Sequence, residues 1–195
     1  MTPPQLRWLL CDYGNVLSLA QPDEDVAALA ELAEVPRSEF AERYWADRAA
    51  YDRAELDARS YWERLVGAAL SPSVLRDLVA LDVKSWTNLN TASVQAAERA
   101  AGRGFALALL SNAPLEVARA VEALEDLAPF HPRWFSCDLG ATKPHPSVYA
   151  TVLEGLDAAA GSITFVDDRP DNVEAARRAG FRAVLFEDPA QIDEL

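Results

Sequence analysis

The sequence predicts a doubly wound α/β fold, a parallel sheet covered by helices on both faces, with a block of helices inserted after the first strand. Three observations predict it. Five short apolar runs lack the clean alternation of a half-exposed sheet, as expected of strands buried on both faces. Helical patterns separate the last four runs. The long stretch from Asp23 to Ala80 contains no strand pattern at all.

The first run is Leu6–Cys11. The insertion after it reads as four short helices, Asp23–Glu34, Ser38–Ala50, Asp57–Leu70 and Pro72–Ala80, broken at Pro36 and at Ser71-Pro72. The second run is Phe105–Leu110. Pro114–Leu124 follows, with Leu115, Ala118, Val121 and Leu124 at helical spacing and proline suited to a first turn. The third run is Trp134–Cys137, followed by a helix over Ser147–Leu156. The fourth is Ile163–Val166, and the helix Pro170–Ala179 after it ends at Gly180, a C-cap residue. The fifth is Ala183–Phe186.

Composition narrows the function. The 195 residues make one domain with a modest insertion, and half of them are hydrophobic, enough for a core. Acidic residues outnumber basic ones 31 to 18, a formal charge of −13. That balance speaks against nucleic acid and against anionic membranes as partners. The longest apolar stretch, Gly104–Leu110, falls far short of the ~20 residues of a membrane span. No basic stretch precedes an apolar core in MTPPQLRWLL, so no signal peptide is expected. Cys11 and Cys137 both lie in strand-like runs and read as buried free thiols in a reducing compartment. The expectation is a cytoplasmic protein. Only two of the 18 basic residues are lysines, Lys84 and Lys143, so each lysine invites a reason.

Ligands of open α/β sheets bind at the carboxyl ends of the strands. There the first run ends in Asp12-Tyr13-Gly14-Asn15, the second in Ser111-Asn112 and the fourth in Asp167-Asp168, while Lys143-Pro144 follows the third. Three carboxylates on one edge repel: at ~4 Å and an effective dielectric of ~20 each pair costs roughly 4 kcal/mol. A hard divalent cation relieves this, and Mg²⁺ suits carboxylates, water and a phosphate. Ser111, Asn112 and Lys143 supply what phosphoryl oxygens accept.

These four stations, Asp12-Tyr13-Gly14-Asn15-Val16-Leu17, Leu110-Ser111-Asn112, Lys143-Pro144 and Phe165-Val166-Asp167-Asp168 with Asn172, resemble those of the haloacid dehalogenase (HAD) superfamily. The subfamily resembled has a small helical cap after the first strand and a first motif like that of bacterial sugar-phosphate phosphatases. The resemblance implies a Rossmann-like α/β core over 1–17 and 89–195 and a cap over 18–88. It implies that Asp12 is the nucleophile, forming an aspartyl-phosphate. Mg²⁺ would be held by Asp12, the Gly14 carbonyl and Asp168, with Asp167 acting through water or a neighbour. Ser111 and the Asn112 amide would hold phosphoryl oxygens, and Lys143 would neutralise charge between nucleophile and phosphate. Asn172 either orients the metal loop or only sits in the first turn of its helix.

The chain departs from the family at Gly14, where most of its phosphatases carry a second Asp as acid and base. General acid–base help is worth about 10²–10⁴-fold, so its absence matters. His131 and His145, each beside a proline, read as exposed turn residues. In the cap, Phe40, Tyr44, Trp45, Tyr51, Tyr61 and Trp62 cluster with several arginines, mostly as core. Trp45, Arg48, Tyr51 and Asp52 are the candidates for substrate contact. The expected function is Mg²⁺-dependent hydrolysis of a small phosphorylated metabolite such as a sugar phosphate, by a monomer or weak homodimer. The competing readings are a catalytically weak binding protein on the same fold and a haloacid dehalogenase-type hydrolase.

Overall fold

The computed structural model describes residues 6–195, so the opening residues of the proposed 1–17 segment, and half of the stretch read for a signal peptide, lie outside the described residues. Five strands, β1 (Arg7–Cys11), β2 (Phe105–Ser111), β3 (Arg133–Phe135), β4 (Ile163–Asp167) and β5 (Arg182–Leu185), form one sheet. All neighbours are parallel, in the order β3-β2-β1-β4-β5. The chain starts in the middle at β1, builds outward through β2 and β3, then crosses to β4 and β5. The reversal falls beside β1, where such sheets open a crevice at their carboxyl ends.

Strand alternation explains the unbroken apolar runs. Leu9, Cys11, Leu107 and Leu109 face one helical layer, with α6 (Thr91–Gly102) and α7 (Leu115–Glu122) packed on them. Leu10, Ala108, Leu110 and Phe165 face the other, with α9 (Pro146–Leu156) and α10 (Pro170–Arg178). Neither face meets water, so neither needs polar residues.

The insertion consists of α1 (Asp23–Leu32), α2 (Arg37–Ala46), α3 (Arg48–Asp52), α4 (Ala58–Val66) and α5 (Pro72–Trp86). It buries its own cluster, including Leu29, Phe40, Tyr44, Tyr61, Trp62 and Leu78. Its entrance and exit are zipped together: Leu19 N–H donates to Asn88 O at 2.8 Å and Asn90 N–H to Leu17 O at 2.9 Å.

Several expected boundaries move. The stretch expected as Ser38–Ala50 is two helices, broken at Asp47, whose φ of −108° leaves the helical well. The helix starting at Pro72 runs on to Trp86. Between it and β2 lies α6, an alanine-rich helix with no sequence-predicted counterpart. The third strand begins at Arg133, and Cys137, expected in it, sits half-buried in the short helix α8 (Ser136–Leu139). Among the described residues no helix is long and apolar enough to cross a membrane.

Candidate active site

Asp12 continues the sheet by one hydrogen bond beyond β1, its N–H donating to Val166 O at 2.9 Å. The chain then turns sharply. Asn15 has φ 58°, a left-handed conformation that asparagine tolerates better than most residues. Gly14 has an ordinary φ of −61°, and a Cβ there would meet only the Trp86 ring at 3.7 Å. The backbone therefore does not require glycine at position 14. The turn swings Asn15 back so that its Nδ2 donates to Asp168 Oδ2 at 2.9 Å, joining the ends of β1 and β4.

Lys143 is the hub. Its side chain is 1 % exposed; Nζ donates to Asp167 Oδ2 at 2.7 Å and to Leu110 O at 3.0 Å, and it forms an ion pair with Asp12 Oδ1 at 2.7 Å. Asn112 holds the lysine's backbone in place: its Oδ1 accepts from Lys143 N at 2.8 Å and its Nδ2 donates to Lys143 O at 3.0 Å. The main-chain N–H of Asn112 and the second N–H of its Nδ2 remain for an anion.

Asp167 is fully buried and saturated by Lys143, the Arg169 N–H and Asn172 Nδ2. Asp168 faces the cleft instead. Carboxylate oxygens of Asp12, Asp167 and Asp168 lie within 4.8 Å of one another. Burial pushes the Asp12 carboxyl up to about 8; Lys143 pulls against this, while Asp167 and Asp168 add to it. Burial works to lower the Lys143 pKa, but the two carboxylates outweigh it and raise the pKa above the usual lysine value.

The cluster fits a hard divalent cation. All its donors are oxygen, and its carboxylate charge exceeds what one ammonium balances. The buried Asn172 Oδ1 beside it has no protein hydrogen-bond partner, an acceptor suited to a metal-bound water.

A cleft of ≈ 160 Å³ opens over this floor. Asp12, Gly14, Ser111, Asn112, Lys143 and Asp168 line it from the core; Trp45, Arg48, Asp52 and Trp86 line it from the insertion. Three of the four residues expected to touch substrate are therefore at the cleft. Tyr51, the fourth, does not line the cleft. Its ring stacks on Tyr61, centroids 4.4 Å apart, and its hydroxyl donates to Glu116 Oε2 at 2.7 Å. Arg48 reaches the cleft wall already occupied: Nε pairs with Asp52 Oδ1 at 2.9 Å and Nη1 with Asp82 Oδ2 at 3.1 Å. Neither histidine lines the cleft.

Sequence reasoning missed Trp86, Ala113, Val117 and Arg169 at the cleft, and Ser136 beneath it. For Trp86 the signal was present in the helical spacing of Leu75, Val79, Val83 and Trp86 itself, which extends the helix past Ala80. Ser136 carries no signal, since its bonds to Ala113 and Asp52 exist only in three dimensions.

The chain is 32% identical over 179 residues to a phosphatase of Mycobacterium tuberculosis, covering 87% of this chain and 80% of that one. Its fold matches that of a HAD family enzyme of Bacteroides thetaiotaomicron in complex with magnesium and inorganic phosphate, with TM-score 0.73, 18% identity and coverage of 94% and 96% of the two chains. It also matches a 2-haloacid dehalogenase of Pseudomonas syringae pv. tomato, with TM-score 0.67, 19% identity and coverage of 92% and 85%. The model of the haloacid dehalogenase-like hydrolases matches residues 15–180, and with that span and this degree of identity the chain belongs to that hydrolase family.

Proposed function

We propose that the protein is a Mg²⁺-dependent phosphomonoester hydrolase of the helical-cap subfamily, with its cap over 18–88, acting on a small phosphorylated metabolite such as a sugar phosphate. The observation that carries the reading is the Asp12, Asp167 and Asp168 cluster around buried Lys143. Attack on a carbon–halogen bond needs one carboxylate; two at the cleft floor with a third buried beneath them suit a metal–phosphate pair. The magnesium and phosphate complex of the Bacteroides thetaiotaomicron enzyme and the mycobacterial phosphatase support it.

In this reading Asp12 attacks phosphorus in line and the leaving oxygen departs on the far side. Lys143 fixes the Asp12 carboxylate by one oxygen, which leaves Oδ2 as the attacking atom. Its ammonium balances charge as the phosphoryl group approaches. The Ser111 hydroxyl and the Asn112 main-chain N–H hold phosphoryl oxygens. Asp12, the Gly14 carbonyl and Asp168 would hold Mg²⁺, with Asp167 fixing the loop through Lys143, Asn172 and the Arg169 N–H. When bound, the metal supplies positive charge against the phosphoryl oxygens. Trp45, Trp86 and Arg48 form the wall that meets the rest of the substrate and keeps out bulk water. Water then hydrolyses the aspartyl-phosphate.

The test is phosphate release from a panel of phosphomonoesters, sugar phosphates included, with Mg²⁺ or with a chelator, for wild type and Asp12→Asn. Turnover that needs Mg²⁺ and disappears in Asp12→Asn is expected. Halide release from 2-haloacids without metal, and no phosphate release, would overturn the reading.

A further inference from the structure

An alkyl phosphate leaves as an alkoxide, a very poor leaving group at neutral pH unless a proton arrives as the bond breaks. The chain holds glycine two residues after Asp12, so that position supplies none. The proton must come from another group at the cleft. Lys143 is held as an ammonium between Asp12 and Asp167, which raise its pKa above the usual lysine value, and the Tyr13 hydroxyl donates to Trp86 O at 2.7 Å, with its pKa pushed far up by burial. Arg48 and Arg169 remain cations, Asp12 is the nucleophile, and Asp168 belongs to the acidic cluster. His131 and His145 lie off the cleft. One carboxyl is left.

We propose that Asp52, on the inserted helical segment, is the general acid for the leaving oxygen and then the general base for water. The proposal rests on the phosphomonoesterase reading above. Asp52 ends α3 and lines the same cleft as Asp12 and Asp168. It is pinned to the core: its carbonyl accepts from Ser136 Oγ at 2.5 Å, and Ser136 Oγ accepts from Ala113 N at 2.9 Å. Ala113 adjoins Asn112, so the backbone that carries the Asp52 side chain is tied to the loop proposed to hold the phosphate. Asp52 Oδ1 is fixed by Arg48 Nε at 2.9 Å. Oδ2 takes no hydrogen bond among the described residues and is not sealed from solvent, which leaves it free to carry the proton. Burial raises the carboxyl pKa toward the working range of an acid; Arg48 and Arg53 on the same stretch lower it, and Asp82 from α5 raises it.

The two steps balance. In the first, the bond from Asp12 Oδ2 to phosphorus forms, the bond from phosphorus to the alkoxy oxygen breaks, and Asp52 Oδ2–H gives its proton to that oxygen. The alcohol leaves, and Asp52 is now a carboxylate. In the second, water oxygen bonds to phosphorus, the Asp12–phosphorus bond breaks, and Asp52 takes the water proton. Inorganic phosphate leaves, and both side chains are restored.

The experiment compares an alkyl phosphate with 4-nitrophenyl phosphate, whose nitrophenolate leaves without a proton, using the full chain with Mg²⁺. In Asp52→Asn, kcat/KM for the alkyl ester is expected to fall about 10²–10³-fold. For the nitrophenyl ester kcat/KM holds within about threefold, while kcat drops and a burst of one nitrophenolate per enzyme precedes slow turnover, because the loss of the base falls on the second step. Asp52→Glu, which keeps a displaced carboxyl, shifts the alkyl-to-aryl ratio the same way by less, and thermal unfolding checks that both variants fold. A ratio unchanged in both variants, whether the two esters fall together or neither falls, overturns the proposal. Wild type that hydrolyses neither ester overturns the phosphomonoesterase reading instead.

Discussion

Lys143 and Asp167 form an ion pair of 2.7 Å whose side chains are 1 % and 0 % exposed. The same ammonium holds Asp12 at 2.7 Å. One cation thus separates two buried carboxylates, one of them at the cleft, and the site's shape depends on it.

Replacing that lysine with a side chain of similar length and no charge, Lys143→Met, strands both carboxylates. The expected loss of stability in metal-free urea unfolding is about 3–5 kcal/mol, because the penalty falls on buried charges left without a partner. Added Mg²⁺ is expected to recover part of it, since the cluster then regains a counter-charge. Turnover is lost in either condition.

Arg48 plays a comparable part in the inserted helices, between Asp52 and Asp82 and over the Tyr44 ring, 4.9 Å from its centroid. In Arg48→Met the expected cost is again about 3–5 kcal/mol. Combining it with Asp82→Leu is expected to cost less than Arg48→Met alone, because one stranded charge is removed with its partner. A double-mutant cycle by urea unfolding measures this, and additive losses would refute it.

The thiols give a pH prediction. Burial, with Asp138 adding to it, pushes Cys137 up to about 11; burial, with Asp12 adding to it, pushes Cys11 higher still. A raised pKa means less thiolate at a given pH, on the order of a thousandth of Cys137 at pH 8. Alkylation by iodoacetamide, followed by intact mass, is therefore expected to be slow for both cysteines at pH 7–8. For Cys137 it rises as the pH climbs toward about 11, and for both it becomes fast once the chain is unfolded in urea. Rapid labelling of the folded protein at pH 7.5 would contradict the structure.

Much of the sheet was legible because each strand carries its evidence in its own residues. A run such as Phe105–Ser111 needs burial on both faces, and only a covered parallel sheet provides it. What was missed has physical causes too. The apolar face of α6 is built largely from alanines, Ala96, Ala97 and Ala100, so it packs closely while showing little periodicity to a reader who looks for large side chains. β3 has only three residues, too few for a pattern to fix its ends. The break at Asp47 redirects the chain just before Arg48, so Arg48 and Asp52 reach the cleft while Tyr51 turns to Tyr61 and Glu116.

The sequence by itself determined which residues stand at the strand ends, and so the chemistry at hand: carboxylates at 12, 167 and 168, a hydroxyl at 111, an amide at 112 and one lysine at 143. Those positions follow from local order along the chain. Only the tertiary structure decided what each group is committed to. It gave both side-chain groups of Asn112 to the Lys143 backbone, the ammonium of Lys143 to Asp12, Asp167 and the Leu110 carbonyl, and the Asp52 backbone to the core through Ser136, leaving one Asp52 carboxylate oxygen free. Hydrogen bonds and ion pairs act over about 3 Å, and residues separated by 31 or 84 positions meet at that range only after the sheet and its inserted helices have packed.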